Sequence, residues 1–263
     1  MVHPLNHGFR PVHMTETRLI LYFFHYHALF LGKSTDTGIH RHHLVQILVS
    51  LSNPFKFRYN NRWIEARTLI LDADREHQLD AGDNWVAIIL LDAESESARR
   101  IRETHLRDND FKEIDSARLA PYMPDLEKLI AHPSEITEAE ILLNRIVDSL
   151  ACDTGPVART DVKIKQVLDR IKKLHEKKAP IKELAESIGI SESRLMHLFS
   201  HEVGIPLRQY LLWCRLRDAL RLIVKGISFN TAAHEAGFSD SAHLSRTFTK
   251  MFGVTLLAIF KNF

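Results

Sequence analysis

The side chains that could do chemistry in this sequence lie in two places. Near the N-terminal end, His40, His42 and His43 stand close together, and His77 follows later. Residues two apart on a β-strand point to the same side of a sheet, so His40 and His42 would share one face. Near the C-terminal end, two similarly spaced segments place hydroxyl, imidazole and guanidinium groups after a glycine. The histidine group has the chemistry of a metal or small-ligand site. What the C-terminal side chains could bind depends on how the helices that carry them are placed.

The histidine group allows three interpretations. Metal enzymes with two histidines at this spacing add a carboxylate and a distant histidine, but Gln46 stands where the glutamate would be needed. We therefore predict no metal ion. A second interpretation is a small-molecule effector pocket, and a third is that the histidines are exposed to solvent and bind nothing. The residues that we assign to the effector pocket are His40, His42, Gln46 and His77.

The C-terminal segments form an internal repeat. Gly189 and Ser191 match Gly237 and Ser239 at an offset of 48, and later residues match at an offset of 49, so the second copy has one additional residue. Each glycine suits the left-handed backbone at the end of a helix. Each serine is predicted to cap the next helix. Two helix-turn-helix units in tandem are typical of a protein that places one helix of each unit in a major groove of DNA.

In each unit the later helix should give one face to the core and the opposite face to DNA. Helical spacing predicts a buried side formed by Leu195, Leu198 and Phe199 in the first unit, and by Leu244, Phe248 and Met251 in the second. Helical spacing gives the opposite face as Ser193, Arg194, Met196, His197, Ser200 and His201 in the first unit and Ser241, Ala242, His243, Ser245, Arg246 and Lys250 in the second.

Arg246 is the strongest single prediction, because arginine pairs bidentately with guanine. Contact with a phosphate is its alternative, and Met196 is predicted either to touch a thymine methyl group or to fill a gap. The charge of the segment fits a polyanionic partner. From Asp161 onward, 17 Lys and Arg stand against 10 Asp and Glu, although the whole chain has a net charge of only +2. The basic third is therefore predicted to meet double-stranded DNA.

These residues resemble the DNA-binding domain of the AraC/XylS family of bacterial transcription regulators. The resemblance covers the stretch 181–260, and the residues that carry it include the runs 189–191, 236–240, 244–246 and 253–255, which together are highly specific. Leu256 departs from the pattern, because the family usually has proline there. The resemblance implies a sequence-specific transcription regulator, with RNA polymerase as a further partner. Matched to the family's motif, the residues that we predict to face the groove are Ser193, Arg194, Met196 and His197 in the first unit and Ser241, Ala242, His243 and Arg246 in the second.

The N-terminal half is predicted to be an antiparallel β-barrel or β-sandwich. Short β-branched and aromatic stretches bounded by Gly, Asn, Asp and Pro indicate strands, and Asn60-Asn61 predicts a hairpin turn. The region resembles, more loosely, the cupin-like barrel that often precedes the DNA-binding domain in this family. The predicted fold is α+β, with a cupin-like barrel, a helical linker and an all-α C-terminal domain. The strand stretches are 19–24, 44–49, 55–59, 63–66, 67–71 and 85–91.

We predict three segments in the chain. Residues 1–118 form the effector-sensing domain, 119–158 the helical linker, and 159–263 the DNA-binding domain. The clearest linker helix runs from Ser134 to Leu150. Its apolar stripe either forms a dimer contact or packs on the barrel of its own chain. The expected state is a homodimer or a monomer–dimer equilibrium.

Several classes of protein are excluded by what the sequence lacks. It has no nucleophile elbow, phosphate-binding glycine loop or recognisable Cys–His pair, so we predict no enzymatic activity and no cofactor. A metal-dependent cupin enzyme with an accessory DNA-binding domain is the alternative. The two distant cysteines, the polar N-terminal residues and the lack of a long apolar run favour a cytoplasmic protein that does not enter membranes.

Overall fold

The protein is described here by a computed structural model, which covers residues 12–13, 19–24, 27–33, 35–133, 136–151, 160–173 and 180–260. The chain divides into two compact units. The first contains Met1–His40 and Leu44–Thr154, and the second contains Arg41–His43 and Gly155–Lys261. Among the described helices, none has both the length and the apolar character that crossing a membrane requires.

Strands make up most of the first unit. Most of them coincide with the predicted stretches, whereas β1, β3, β8 and β10 were not predicted. The strands are β1 (Val12–His13), β2 (Leu19–Phe23), β3 (His27–Lys33), β4 (Leu44–Ser50), β5 (Phe55–Tyr59), β6 (Arg62–Ala66), β7 (Thr68–Leu71), β8 (His77–Asp80), β9 (Trp85–Asp92) and β10 (Phe111–Glu113).

These strands pair as two antiparallel sheets and not as one closed barrel. The larger sheet has the order β1-β2-β3-β9-β4-β7-β10, and the smaller has the order β6-β5-β8. The predicted antiparallel N-terminal domain and helical C-terminal domain are therefore confirmed, and the described strands do not close into one barrel. The physical reason is that β5 pairs with β6 on one edge and with β8 on the other, so that neither edge is left to pair with a strand of the larger sheet. Within the described strands, no ladder joins one sheet to the other.

The hairpin between β5 and β6 follows the predicted turn chemistry. Asn60 and Asn61 have φ values of 47° and 60°, and Tyr59 pairs directly with Arg62. Two central residues with positive φ are the signature of a type I′ turn, which matches the twist of the flanking strands. The turn thereby sets the register of the smaller sheet.

One face of the larger sheet is covered by helices of the same unit. The helical segments are α1 (Glu96–Ile101), a π-helix (Arg102–Leu106), α2 (Met123–Ala131) and α3 (Ile136–Ala151). Leu143 and Ile146 of α3 share a buried cluster with Ile47 and Ile89 of the sheet. The apolar stripe of the predicted linker helix thus packs on its own chain. Ser134, its predicted cap, lies outside the described residues.

The second unit is helical in the part that the structure describes. Its central helix, α7, buries Tyr210, Trp213 and Leu220 and contacts helices of both helix-turn-helix units. The helices are α4 (Val162–Lys173), α5 (Ile181–Glu186), α6 (Glu192–Val203), α7 (Leu207–Val224), α8 (Phe229–Glu235), α9 (Ser241–Phe252) and α10 (Leu256–Phe260).

The last helix forms in spite of the leucine that replaces the family's proline. The Thr255 hydroxyl oxygen accepts a hydrogen bond of 3.1 Å from the Ala258 amide, which satisfies one of the unpaired donors at the start of a helix. Phe260 is buried and its ring meets Phe229 edge-on at 6.4 Å. The departure from the family pattern therefore leaves the fold of this end intact.

Candidate nucleic-acid interface

The first helix-turn-helix unit consists of α5 and α6. Gly189 in the turn has φ +66°, and Gly204 at the end of α6 has φ +87°. An added Cβ would meet no heavy atom within 4 Å at either position. The requirement for glycine is therefore conformational and not a matter of space. Ser191 caps α6 as predicted, because its hydroxyl oxygen accepts a 3.3 Å hydrogen bond from the Arg194 amide.

The second unit consists of α8 and α9, and its cap differs from the prediction. The residue that caps α9 is Asp240, whose carboxylate oxygen Oδ1 accepts a 2.6 Å hydrogen bond from the His243 amide. Ser239, the predicted cap, lies one residue earlier. The additional residue of the repeat is thus inserted in the turn, and it moves the serine out of the capping position. Ser191 corresponds structurally to Asp240.

This correspondence fixes which groove-facing positions are equivalent. Counted from the caps, Arg194 matches His243, and His197 matches Arg246. Met196 matches Ser245, which helical spacing selects and the family's motif does not, and Ser241 falls earlier, at the position of Glu192. The equivalence follows from the cap geometry, which sequence alignment alone leaves ambiguous by one residue.

The buried side of each later helix is close to the predicted one. Leu195 and Phe199 are fully buried in α6, as are Leu244 and Phe248 in α9. Phe199 packs against Tyr210 of α7 at 5.3 Å between ring centroids. Two details differ from the prediction, since Leu198 is only half-buried and Val203 takes a core position.

The predicted groove residues are accessible on both helices. In α6, Ser193, Arg194, Met196 and His197 are all exposed; in α9, Ala242 and Arg246 are exposed, whereas Ser241 and His243 are half-buried. Contact with DNA remains a prediction for all eight.

The start of α9 holds a short chain of hydrogen bonds. The Ser239 hydroxyl donates to Asp240 Oδ2 at 2.9 Å, and His243 Nδ1 lies 3.2 Å from the same hydroxyl oxygen. The hydrogen bond from the His243 amide, followed by that from Ser239, lowers the pKa of Asp240. The His243 ring also meets Phe238 edge-on at 5.2 Å. The ring of His243 is therefore oriented by contacts with Ser239 and Phe238.

Further along each helix the two units differ in charge. Lys250 lies one turn beyond Arg246 and is exposed. Its counterpart at the same distance from the cap is His201, which pairs with the Glu202 carboxylate at 3.3 Å. The exposed side of α9 thus carries more positive charge than that of α6.

Two residues of the predicted effector pocket come together in the first unit. The backbones of His40 and His77 exchange two hydrogen bonds of 2.9 Å, and their ring centroids are 4.1 Å apart. Each Nδ1 lies within 2.9 Å of a backbone carbonyl oxygen, of Gly38 and of Arg75 respectively. A carbonyl only accepts, so both rings carry their proton on Nδ1.

Both histidines are held neutral. Burial lowers the pKa of His40 to about 4. Burial, followed by repulsion from His40, lowers the pKa of His77 to about 3. The exposed fractions of His40, His42 and His77 are 6%, 3% and 2%, so the interpretation of these residues as solvent-exposed was wrong.

The other two predicted pocket residues, Gln46 and His42, are also buried. Gln46 is buried in β4, opposite Leu71 and Leu90. His42 belongs with Arg41–His43 to the second unit. A pocket of about 130 Å³ opens beside His77 on the first unit. Its lining residues are Ile39, Arg58, Asn60, Asn61, Glu76, His77 and Gln78.

Comparison with known proteins identifies the C-terminal part. A family model described as a helix-turn-helix domain matches residues 184–262. HptR, a transcriptional regulatory protein of Staphylococcus aureus, is 26% identical over 135 residues, which cover 45% of this chain and 54% of HptR. YidL, an uncharacterized HTH-type transcriptional regulator of Escherichia coli, is 29% identical over 146 residues, covering 53% and 49%. The chain spans about half the length of these relatives.

Solved structures extend the likeness to the fold of the whole chain. ToxT from Vibrio cholerae has 12% sequence identity and a TM-score of 0.58, with 90% of this chain and 98% of ToxT covered. A structure of ToxT bound to an unsaturated fatty acid has 10% identity and a TM-score of 0.55, covering 97% and 95%. At these identities the likeness shows a shared fold.

Proposed function

We infer that this chain, whose C-terminal part is a helix-turn-helix domain of the AraC type, acts as a sequence-specific transcription regulator. The observation that carries this proposal is the pair of helix-turn-helix units, α5–α6 and α8–α9, each with a later helix whose predicted groove face is accessible. In proteins of this kind the later helix lies in the major groove and its first residues contact base edges. Its partner is double-stranded DNA.

In this proposal α6 and α9 read two successive major grooves, about one helical turn apart. The groove-facing residues are the eight already named. Arg246 pairs with guanine, because guanidinium matches the two acceptors of that base. Lys250 contributes phosphate contact, which adds affinity without sequence preference.

The first unit is proposed to bind a small-molecule effector. Two observations support this: the fold is shared with ToxT, one structure of which contains an unsaturated fatty acid, and His40 and His77 are buried and neutral. A neutral imidazole hydrogen-bonds a ligand without a buried charge. Effector control requires that the effector bind one arrangement of the domains more tightly than another.

The remaining assignments complete the proposal. Residues 1–118 form the domain that senses the effector, and residues 159–263 form the domain that binds DNA. Residues 119–158 are the linker between these two domains. The protein works in the cytoplasm, has no catalytic role, and contacts RNA polymerase at its target promoters.

A homodimer is proposed to form through the side of α3 that faces away from its own sheet. Ile141 on that side is 57% exposed, and Glu138 and Arg145 flank it at distances of one helical turn. Two copies of α3 packed through this side would remove the exposed Ile141 side chain from water, which favours the pairing.

Selection of bound duplexes from random DNA by the full-length chain, at one stated salt concentration, tests the function. We expect a motif of two segments whose centres are about 10–10.5 base pairs apart. Binding that depends on salt but enriches no sequence would contradict the proposal, because phosphate contact alone gives that behaviour.

A further inference from the structure

We propose that His243 determines specificity by presenting a hydrogen-bond acceptor, its Nε2 lone pair, to the amino group of cytosine or adenine in the major groove. Ser239 and Asp240 are the positioning residues that fix this polarity, through the chain of hydrogen bonds at the start of α9. The inference rests on the proposed function, and it names the chemistry that the second unit reads.

The first step concerns the single proton of the Ser239 hydroxyl. Its oxygen lies 2.9 Å from Asp240 Oδ2, and an ionised carboxylate can only accept hydrogen bonds. The hydroxyl proton is therefore directed at Asp240. The bond from the His243 amide to the other carboxylate oxygen, at 2.6 Å, holds that carboxylate in place.

The second step follows from the first. With its proton committed to Asp240, the Ser239 oxygen can only accept from His243 Nδ1, which lies 3.2 Å away. Nδ1 must then carry the imidazole proton. In a neutral histidine the other ring nitrogen, Nε2, is then an acceptor. The tautomer of His243 is thus set by an aspartate two bonds away along the hydrogen-bond chain.

The third step is the position of the ring. His243 is the third residue of α9, within the first turn that approaches base edges in a docked recognition helix. Edge contact with the Phe238 ring restricts its rotation. In the major groove the amino groups of cytosine and adenine are the hydrogen-bond donors, so an acceptor at this position selects them.

The first helix-turn-helix unit shows what the chain of hydrogen bonds at the start of α9 changes. Arg194 occupies the position equivalent to His243, and it presents only donors. Its cap, Ser191, bonds the Arg194 amide, and no additional residue stands between cap and turn. The residue inserted in the second unit is what places a hydroxyl beside the ring.

Arg246 lies three residues further on the same helix and offers donors beside the acceptor of His243. One helix therefore carries both polarities, and the two side chains would favour different bases. Arg246 selects guanine, whereas His243 selects a base with an exposed amino group. This separation makes the contribution of each residue measurable at its own base pair.

The test uses the full-length chain and duplexes that vary at the base pair where His243→Ala loses its preference. Binding is measured at pH 8, where imidazole is neutral, for the wild type, Ser239→Ala and Ser239→Thr. We expect the wild type to prefer cytosine or adenine about three- to tenfold, as one hydrogen bond allows. Ser239→Ala should lose this preference, and Ser239→Thr, which keeps the hydroxyl, should retain it.

A spectroscopic measurement on the same proteins separates positioning from folding. Nitrogen-15 chemical shifts of His243 report which ring nitrogen carries the proton. We expect protonated Nδ1 in the wild type and in Ser239→Thr, and a shift towards protonated Nε2 in Ser239→Ala. Protonated Nε2 in the wild type would overturn the inference, and so would a wild-type preference for guanine at this pair.

The outcomes also distinguish this inference from the proposed function. If His243→Ala changes no base preference while Arg246→Ala does, the inference fails and the function stands. If the wild type binds every duplex equally, the proposed function fails, and the reading role of His243 fails with it.

Discussion

The two helix-turn-helix units have the same buried framework and different exposed chemistry. In both, a leucine and a phenylalanine four residues apart are buried, and a glycine with positive φ ends the later helix. On the accessible side, α6 carries Arg194 and His197, and α9 carries His243 and Arg246. The core of a repeat is constrained by packing against α7, whereas its outer face is constrained only by what it binds. Shared framework therefore implies the same fold for the two units but not the same base preference.

The largest expected effect tests the shared framework. Phe199→Ala and Phe248→Ala should each lower the free energy of unfolding of the DNA-binding part by about 3–5 kcal/mol, because each leaves a cavity in a close-packed core. Urea denaturation of both variants measures this. If one variant were nearly as stable as the wild type and the other were not, the two units would not share the same buried framework.

The next effect tests the difference between the groove faces. Arg246→Ala should weaken binding to the selected site by about 1–3 kcal/mol and relax preference at one base pair. His197→Ala, the matched change in α6, should cost less, since imidazole lacks the bidentate pairing of arginine. Titration of a labelled duplex measures both. Wild-type affinity and selectivity in Arg246→Ala would show that α9 does not dock as proposed.

A smaller effect concerns the caps. Ser191→Ala should destabilise the domain by about 0.5–2 kcal/mol, the usual cost of removing a capping side chain. Asp240→Ala should destabilise it more, because it also releases Ser239 and His243 from their hydrogen bonds. Thermal melting of the two variants, with Ser239→Ala as the control that leaves the cap in place, measures the order. Equal losses of stability in Ser239→Ala and Asp240→Ala would contradict the assignment of Asp240, and not Ser239, as the capping residue of α9.

The smallest effect concerns phosphate contact. Lys250→Ala should weaken binding to all sequences alike and reduce the slope of log affinity against log salt by about 0.9. His201→Ala should leave the slope unchanged, because its side chain pairs with Glu202. Affinity measured at several salt concentrations gives both slopes. An equal change of slope in the two variants would show that α6 and α9 do not differ in their charged contact with phosphates.

Features governed by local rules could be predicted from the sequence. The hairpin at Asn60-Asn61 follows from the tolerance of asparagine for positive φ, and the turns at Gly189 and Gly237 follow from the same property of glycine. The exposure of the predicted side of α6 followed from helical periodicity. In each case one short stretch contains all the information.

Features that depend on distant or competing partners could not be predicted. Serine and aspartate are equally good caps, so the sequence left Ser239 and Asp240 undecided until the turn was seen. The burial of His40 depends on its pairing with His77, which is remote in sequence. Closure of the barrel depends on which neighbour β5 pairs with, and the composition of a strand does not specify its partner.

The most direct test of the central claim is the spacing of the two half-sites on DNA. Binding of the full-length chain is measured on the selected site and on one with about 5 base pairs, half a helical turn, inserted between its segments. If α6 and α9 read one face of the duplex together, the insertion should reduce specific affinity to that of a single half-site. Unchanged affinity on the lengthened site would contradict the account, because two units joined by α7 would then not bind as one reader.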